Sequence, residues 1–366
     1  MPEHRVTGPD DALARAVALA QRGPVGGANP RVGCVVTDAD GVIVAEGWHR
    51  GAGTPHAEAA ALAAAAAQGT ALRGTHAYVT LEPCAHTGRT GPCAEALIDA
   101  GVASVTYAVA DPNPVAAGGA ARLRAAGVDV HGPLDPSGAA TALVREWSTA
   151  VRRGRPFVTV KTAASLDGRI AAADGTSRWI TSSEARTHAH GLRARVGAIV
   201  VGTGTALADD PALTVRLPAD PSGTHTSPSP TTTAGGDEQP QPWRVVVGLR
   251  DLPDDARVRG ERFVHVRSHD PAAVLAELHA REVRHVLVEG GPRLVTAFLR
   301  AGLVDEVYAY VAPVLLGAGK SAVEDLGVAT IADAVRLHPR SVTQLGPDVV
   351  LVCDLSQEPV GSEQER

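Results

Sequence analysis

The sequence predicts an α/β protein made of two domains. Length is the first observation, because 366 residues exceed a typical single domain and leave each half enough chain to bury a core. The second is the alternation of short apolar β-type runs with helical patterns in both halves. The third is a polar, Arg-rich stretch at residues 151–156, directly before an apolar run that begins at Phe157. We therefore predict domains at residues 8–151 and 155–356.

The first domain has the pattern of an α/β sandwich. Strands are predicted at residues 32–37, 42–46, 77–81 and 104–109, with Ala-rich helices at residues 56–68 and 92–100. Pro92 at the start of the second helix and Gly101 just past its end are typical helix boundaries.

The second domain repeats the alternation. Strands are predicted at residues 157–163, 198–202, 244–248, 285–289 and 306–311, and helices at residues 181–195 and 292–301. Thr181 and Glu184 have the spacing of a capping box. Residues 218–242 are rich in Pro, Ser, Thr and Gly, which predicts a flexible insertion, and the residues from 357 onward are expected to form a loose tail.

Charge and hydropathy exclude several classes of partner. A net charge of −6 gives no general attraction to nucleic acid or anionic lipid, whereas a small phosphorylated substrate needs only a local basic pocket. No apolar run reaches the roughly 18 residues of a membrane span, and the charged N-terminus lacks the apolar core of a signal peptide. We expect a cytoplasmic homo-oligomer that acts on a small molecule, without a nucleic-acid or membrane partner.

The chain has four cysteines, Cys34, Cys84, Cys93 and Cys353. They are too few for a disulfide scaffold at this size, so metal ligation is the hypothesis for a close pair. Cys34 and Cys353 have no nearby partner in sequence and are expected to be buried apolar residues.

A metal constellation is predicted in the first half. His56 and Glu58 open one helix, and Cys84 and Cys93 follow a strand and open the next helix. One imidazole and two thiolates make three zinc ligands and leave a fourth tetrahedral position for water, which is typical of a catalytic site. Glu58, two residues after His56, is placed to act as general acid and base. This order is the signature of nucleobase deaminases, in which the Glu is not a ligand.

Each of these residues also has an ordinary structural interpretation. A single histidine is more often a hydrogen-bonded core residue, and single cysteines are often small buried apolar residues. Four residue types in this order, on these elements, favour the zinc site instead.

The loop between the two cysteines narrows the choice among deaminase families. Cys84 and Cys93 are separated by eight residues, in the stretch 84–93, and together with residues 29–34 (Asn-Pro-Arg-Val-Gly-Cys) and 111–114 (Asp-Pro-Asn-Pro) this resembles the deaminase domain of the bacterial riboflavin-biosynthesis deaminase–reductases. The resemblance implies a cytidine-deaminase-like three-layer sandwich. It also implies hydrolytic removal of the 2-amino group from a diaminopyrimidinone that carries a ribosylamino 5′-phosphate.

The same resemblance implies substrate contacts in the first domain. Asn29 would hydrogen-bond the substrate, and Arg89 in the 86–90 loop would approach its phosphoribosyl end. The alternative for Asn29 is a turn former before Pro30. The chain departs from the family pattern at Ala85 and Gly91, where serine and proline are usual, so the departures affect the loop and not the ligands.

From its residues alone, the second half gives weak signals for a nucleotide site. A Gly-Thr-Gly-Thr run at residues 202–205 follows a strand, but Leu207 occupies the position of the third glycine of a dinucleotide fingerprint. Residues 289–292, Glu-Gly-Gly-Pro, turn a strand end into a helix whose exposed N–H groups can receive phosphate. A simple strand-to-helix turn is the alternative.

Four motifs appear in the order of the riboflavin-pathway reductases, at residues 161–169, 177–181, 207–216 and 288–292. The resemblance implies a dihydrofolate-reductase-like α/β fold and hydride transfer from NADPH to C1′ of the phosphoribosylamino group, where positioning dominates. The residues it implies for substrate binding are Lys161, Ser177, Arg193, Leu213, Arg216 and Glu289, with the two arginines facing phosphate. The residues it implies for NADPH are Ala163, Trp179, Thr205, Asp209, Gly291, Pro292, Arg293, Leu294, Val295, Thr296 and Ala297.

Two points stay open at the level of sequence. Gly248 and Leu249 stand where the reductases commonly have an acidic residue followed by Ser or Thr, so the cofactor contact there is undetermined. A same-family enzyme of a specialised pyrimidine or deazapurine pathway also stays open. A nucleic-acid base deaminase is disfavoured by the acidic charge, the long loop between the cysteines and the absence of interleaved basic and aromatic residues. The intact His56, Glu58, Cys84 and Cys93 argue against a scaffold protein with decayed sites.

Overall fold

The structure is a computed structural model that describes residues 5–86, 91–215 and 241–355. Within these residues the chain forms two compact units, one ending at Gly154 and one beginning at Arg155. Most of the insertion predicted at residues 218–242, and the predicted tail, lie outside the described residues.

The first unit is a three-layer sandwich, as expected. Its sheet has the order β2-β1-β3-β4-β5, with β1 antiparallel to β2 and β3, and β3, β4 and β5 parallel. The strands are β1 (Gly33–Thr37), β2 (Ile43–Trp48), β3 (His76–Leu81), β4 (Ser104–Val109) and β5 (Asp129–His131). The helices are α1 (Pro9–Ala20), α2 (Ala57–Ala67), α3 (Cys93–Ala100), α4 (Gly119–Ala125) and α5 (Ala139–Arg153).

Helices cover both faces of this sheet. Apolar residues of α2, α3 and α4 pack on one face, while α1 and α5 pack on the other. Along β1, Cys34 and Val36 therefore point to one layer and Val35 to the other, and all three are buried.

Two glycines let the helices approach the sheet closely. A Cβ on Gly33 would lie 2.0 Å from the carbonyl oxygen of Ala16 in α1, and one on Gly47 would lie 2.3 Å from that of Ala57. Because Ala57 follows His56 directly, the contact at Gly47 sets where the start of α2 lies relative to the sheet.

The second unit contains a larger mixed sheet. Its order is β10-β9-β8-β11-β6-β12-β15-β14; the first six strands are parallel, and β15 and β14 are antiparallel to their neighbours. The strands of this sheet are β6 (Phe157–Ser165), β8 (Ala198–Gly202), β9 (Trp243–Val247), β10 (Phe263–Val266), β11 (His285–Val288), β12 (Glu306–Ala312), β14 (Leu337–Leu345) and β15 (Asp348–Leu355). A two-stranded sheet pairs β7 (Arg169–Ala171) with β13 (Lys320–Ser321).

Helices also lie on both faces of the larger sheet. They are α6 (Ser183–Arg193), α7 (Thr203–Asp209), α8 (Pro271–Ala280) and α9 (Pro292–Arg300). Residues of α8 and α9 pack in one core cluster, and residues of α6 and α7 pack in the other. Burial on both faces explains why strands such as β8 and β11 are almost uninterrupted apolar runs.

The predicted capping box at Thr181 is wrong. The N-cap of α6 is Ser182, whose side chain accepts a hydrogen bond from the backbone N–H of Ala185 at 3.2 Å. The backbone N–H of Ser182 also donates a hydrogen bond to Asp348 Oδ2 at 2.7 Å. That contact comes from β15, far along the chain, and the observed N-cap lies one residue after the predicted one.

Candidate functional site

The predicted zinc ligands come together at the starts of two helices. His56 is the N-cap residue of α2, with φ −65° and ψ 163°, and Cys93 is the first residue of α3. Cys84 lies shortly after the end of β3, and both cysteines are buried. Each helix start therefore delivers one ligand, and the strand end delivers the third.

The spacing of the three ligand atoms fits one zinc ion. His56 Nδ1 lies 3.6 Å from Cys84 Sγ and 3.3 Å from Cys93 Sγ, and the three ligand atoms lie within 4.8 Å of one another. Tetrahedral zinc with ordinary Zn–N and Zn–S bonds separates such atoms by roughly 3.5 Å. Among the described residues, this is the one group of three or more His, Cys, Asp or Glu side chains that could hold a metal ion.

The two thiols ionise differently. A hydrogen bond from Cys93 lowers the pKa of Cys84 to about 4, with His56 contributing in the same direction. The same hydrogen bond, together with burial, raises the pKa of Cys93. Zinc ligation requires both sulfur atoms as thiolates, so zinc binding releases any thiol proton that the pair still holds.

Glu58 is buried beside this cluster, with 4% of its surface exposed. Burial raises the pKa of its carboxyl group to about 7. A carboxyl group that titrates near neutrality can both accept and return a proton, which is what a general acid–base catalyst requires.

His49, which sequence reasoning missed, holds Asn29. Its Nδ1 lies 3.0 Å from the carbonyl oxygen of Pro55 and its Nε2 lies 3.0 Å from Asn29 Nδ2. Because a carbonyl oxygen only accepts, Nδ1 donates and Nε2 accepts from the Asn29 amide. Asn29 Nδ2 is thereby committed to the protein. Its Oδ1, which no described residue contacts by hydrogen bond, is available to a ligand.

Glu82, two residues before Cys84, organises the neighbouring loop. Its carboxylate accepts backbone N–H groups of Asp111, Gly118 and Ala120 at 3.3, 3.3 and 3.0 Å. A Cβ on Gly119 would lie only 1.7 Å from the Pro83 carbonyl oxygen, so this loop packs directly against the segment that carries Cys84. Arg89, expected near the phosphoribosyl group, lies outside the described residues.

In the second unit, Lys161 and Glu289 lie at the same level of adjacent strands. Val288, the last residue of β11, pairs with Val160 of β6, so Glu289 and Lys161 come next on each strand. Burial lowers the pKa of Lys161, and the nearby Glu289 carboxylate partly opposes this shift.

Arg193 forms a two-point ion pair with Glu289. Its Nε and Nη2 atoms lie 2.7 Å from the two carboxylate oxygens, and Nη1 donates to the carbonyl oxygen of Thr214 at 3.3 Å. Burial opposes ionisation of Glu289, but this pairing outweighs it and lowers the pKa of that carboxyl group. The guanidinium expected to face phosphate is thus directed toward Glu289 in this structure.

A second pair beside Lys161 was not found from the sequence. His188 Nδ1 lies 2.7 Å from the Tyr310 hydroxyl, and the Tyr310 ring centre lies 5.8 Å from Lys161 Nζ. Tyr310 is buried, and its pKa is raised by that burial. Only the three-dimensional packing of α6 against the sheet brings these residues together.

The strand-to-helix turn at Gly290 and Gly291 contacts the end of β8. The N–H of Gly291 donates to Thr205 Oγ1 at 3.0 Å. A Cβ on Gly290 would lie 2.6 Å from the Leu294 side chain and 3.2 Å from the backbone nitrogen of Gly202. Gly290 therefore lets the turn pack closely on Leu294 and on the end of β8, whereas a Cβ on Gly291 would meet only Thr205 Oγ1, at 3.3 Å.

The remaining residues expected to bind cofactor or substrate differ in exposure. Trp179 is 70% exposed, with the Arg186 guanidinium 4.4 Å from its ring centre, and Ser177, Asp209 and Arg293 are also exposed. Pro292, Leu294, Ala297 and Ala163 are half-buried.

Three residues of the expected set have buried side chains. Val295 and Leu213 belong to the apolar core, and Thr296 Oγ1 accepts a hydrogen bond from the backbone N–H of Glu324. Any ligand contact by Leu213, whose φ is 49°, would be made by its backbone. Arg216 lies outside the described residues.

Comparison with known proteins also divides the chain into two parts. Residues 9–109 match the family model of the cytidine and deoxycytidylate deaminase zinc-binding region, and residues 156–351 match that of the RibD C-terminal domain. The riboflavin biosynthesis protein RibD of Mycobacterium tuberculosis (strain H37Rv) is 48% identical over 325 residues, which cover 88% of this chain and 90% of that protein. The Escherichia coli (strain K12) RibD is 40% identical over a stretch that covers 93% of this chain and 97% of that protein.

Solved structures give the same result. Form 2 of Acinetobacter baumannii RibD is 36% identical and superposes with a TM-score of 0.82, covering 95% of this chain and 99% of that chain. A Thermotoga maritima diaminohydroxyphosphoribosylaminopyrimidine deaminase/5-amino-6-(5-phosphoribosylamino)uracil reductase, 29% identical, superposes with a TM-score of 0.78 over the same shares.

The fold and the zinc-ligand cluster define the class as a zinc-dependent deaminase joined to a reductase. The chain belongs to the RibD family of bifunctional riboflavin-biosynthesis enzymes. It has the deaminase and reductase activities of riboflavin biosynthesis, with zinc and NADPH as cofactors. The specialised-pathway alternative is not favoured. Within the described residues, no helix has the length and apolar character needed to cross a membrane.

The ligand geometry predicts how zinc binding responds to substitution. Cys84→Ser and Cys93→Ser each remove one thiolate, so metal analysis should show zinc falling from one ion per chain to a small fraction of that. Cys34→Ser, a buried thiol outside the cluster, is the control and should keep its zinc. Full zinc content in both ligand variants would show that the metal is held elsewhere.

The His49 contact predicts a coupling with Asn29. His49→Phe removes the acceptor for the Asn29 amide, so kcat/KM of deamination should fall by about tenfold, the scale of one hydrogen bond. His49→Gln, which keeps a donor and an acceptor, should lose less. In a double-mutant cycle, adding His49→Phe to Asn29→Ala should cause little further loss. Fully additive losses at unchanged zinc content would show that His49 does not act through Asn29.

Proposed function

We propose that His56, Cys84 and Cys93 hold the zinc of the deaminase and that Glu58 is its general acid and base. The observation that supports this most directly is the convergence of the three ligand atoms within 4.8 Å of one another beside a buried carboxyl group. When bound, zinc supplies a Lewis acid that lowers the pKa of a coordinated water to about 7. The first domain, proposed at residues 8–151, would carry this chemistry.

The residues around the cluster have separate tasks in this proposal. Glu58 accepts the proton of the attacking water and delivers it to the leaving amine, for which its pKa of about 7 is suited. Asn29 hydrogen-bonds the pyrimidine through Oδ1, and His49 fixes its orientation. Glu82 holds the 111–120 loop against the ligand segment. Arg89 is proposed for the phosphoribosyl end on the basis of the sequence motif alone.

We propose that the second domain, residues 155–356, binds NADPH over the turn formed by Thr205 and Gly291. The proposed cofactor contacts are Ala163, Trp179, Thr205, Asp209 and the segment from Gly291 to Ala297. NADPH supplies a hydride to C1′ of the phosphoribosylamino group. Thr205 fixes the turn by accepting the Gly291 N–H, and the exposed Trp179 offers an aromatic surface to a ring of the ligand.

Substrate binding in this domain is assigned to Lys161, Ser177, Arg193, Leu213, Arg216 and Glu289. Lys161 and Glu289 stand side by side at adjacent strands, and Arg193 keeps Glu289 ionised. In this proposal Arg193 acts mainly through Glu289, and Lys161 lies near the reacting ribosyl carbon.

We also propose that the chain works as a homo-oligomer. Several apolar side chains between residues 314 and 342 are exposed: Val314, Leu315, Val328, Ile331, Val335, Leu337 and Val342. The edge strand β14 adds eight consecutive exposed positions, 337–344. Exposed apolar surface next to an unpaired strand edge is typical of a protein interface. Sedimentation should give a mass above 37.5 kDa, and a strictly monomeric species at micromolar concentration would refute the proposal.

The proposed compartment is the cytoplasm, and the proposed substrate is a small molecule rather than nucleic acid. A reducing compartment keeps Cys84 and Cys93 available as thiolate ligands. The net charge of −6 gives no general attraction to polynucleotides. Recovery of the protein in an oxidising compartment, or salt-dependent binding to single-stranded DNA, would contradict these assignments.

The role of Glu58 predicts separable activities. Glu58→Gln keeps the size of the side chain but cannot exchange a proton, so deamination should fall ~10²-fold or more. Zinc content and reduction of the pre-deaminated substrate should stay at the level of the unsubstituted enzyme. Ammonia release and NADPH oxidation, followed separately, make the measurement. An active Glu58→Gln enzyme would refute the assigned role.

A further inference from the structure

The segment after β9 is folded tightly onto the start of α7. Gly202, at the end of β8, pairs with Val247, at the end of β9, so the chain segments that follow emerge side by side. Gly248 has a φ of +131°, and a Cβ at this position would lie 2.7 Å from Thr203 Oγ1. Only glycine fits this approach without displacement. The acidic side chain that related reductases commonly have at this position has no room here.

This tight turn brings Arg250 to the proposed cofactor surface. Its Nη2 lies 3.3 Å from the position that a Cβ on Gly204 would occupy, so the guanidinium lies directly over a residue without a side chain. Gly204 is followed by Thr205, which binds the N–H of Gly291. Arg250 is therefore close in the fold to the strand-to-helix turn that we assign to the cofactor.

Arg250 keeps its charge uncompensated within the described part of the chain. Its side chain is exposed, and no described residue accepts a hydrogen bond from it or pairs with it. The nearest acidic neighbour in sequence, Asp251, is paired with Arg267, which also donates to the Leu249 carbonyl oxygen at 3.1 Å. Arg267 thus neutralises Asp251 and fixes the turn, and the guanidinium of Arg250 remains free for a ligand.

We infer that Arg250 binds the 2′-phosphate of NADPH and gives this reductase its preference for NADPH over NADH. A dinucleotide that crosses the carboxyl ends of parallel strands, with its pyrophosphate at a glycine turn, extends its adenosine toward the neighbouring strands. Here the glycine turn follows β11, and β8 and β9 come next in the sheet. An arginine at that end provides a planar pair of donors for a phosphate monoester, which an NADH ribose lacks.

The inference rests on the proposed cofactor site at Thr205 and Gly291, and a binding experiment tests the two separately. Kd values for NADP⁺, NAD⁺, 2′,5′-ADP and 5′-AMP would be measured by calorimetry on the full chain. Arg250→Ala should raise the Kd values of NADP⁺ and 2′,5′-ADP by about 10- to 100-fold, the scale of lost charge-assisted hydrogen bonds. The Kd values of NAD⁺ and 5′-AMP should change less than about twofold. Arg250→Lys keeps the charge but not the paired donors, so its Kd for NADP⁺ should lie between those of the unsubstituted enzyme and Arg250→Ala.

Two control variants test whether the effect is specific to Arg250 and to the 2′-phosphate. Arg300→Ala removes the same charge from the far end of α9 and should leave all four Kd values unchanged. Thr205→Val should raise the Kd values of NADP⁺ and NAD⁺ by similar factors. Equal weakening of both dinucleotides by Arg250→Ala, or no weakening of either, would overturn the inference. If Thr205→Val changed nothing while Arg250→Ala still discriminated against the 2′-phosphate, the Thr205 assignment would fail and the role of Arg250 would stand.

Discussion

The deaminase half depends on the convergence of two sulfur atoms and one imidazole nitrogen within 4.8 Å of one another. Each ligand lies at the end of a secondary-structure element, so any shift of a helix along the sheet would separate them. Close backbone contacts oppose such shifts. Gly47 lets the start of α2 rest on β2, and Gly119 lets the 111–120 loop rest on the Pro83 carbonyl group. The placement of the three predicted ligands therefore comes from glycine contacts and from the three N–H groups held by Glu82, none of which belongs to a predicted ligand.

Two buried glutamates show how surroundings determine chemistry. Glu58 and Glu289 are both buried, but no cation forms an ion pair with Glu58 among the described residues, and burial raises its pKa to about 7. Arg193 meets Glu289 at two points, so the pKa of that carboxyl group is lowered despite burial. One carboxyl group is thereby suited to exchange a proton, and the other to remain a fixed negative charge beside Lys161. Arg193 accounts for most of this difference, and the nearby Lys161 and His190 act in the same direction.

Much of the fold could be predicted from the sequence because its parallel strands are apolar on both faces. β4 and β8 begin and end at the predicted residues, and α9 ends one residue before its predicted end. No prediction covered the β14–β15 hairpin, and in β14 every position from 337 to 344 is exposed, so this strand lacks an apolar alternation. The N-cap of α6 was misplaced by one residue because Asp348, on β15, accepts a hydrogen bond from the N–H of Ser182. Local patterns cannot contain a hydrogen bond that comes from 166 residues away.

The same limit explains which site residues could be found. His56, Cys84, Cys93 and Glu58 could be proposed from the sequence because the chemistry of a zinc deaminase requires these residue types and short elements set their spacing. The residues that orient the site act across longer separations: 20 residues for Asn29 and His49, 38 for Glu82 and Ala120, and 122 for His188 and Tyr310. Each such residue has an unremarkable type and no fixed spacing, so only the fold brings it to its partner. The contact between Gly248 and Thr203 is of this kind as well. The ends of β8 and β9 lie side by side, and this close packing explains why glycine stands where the reductases commonly have an acidic residue.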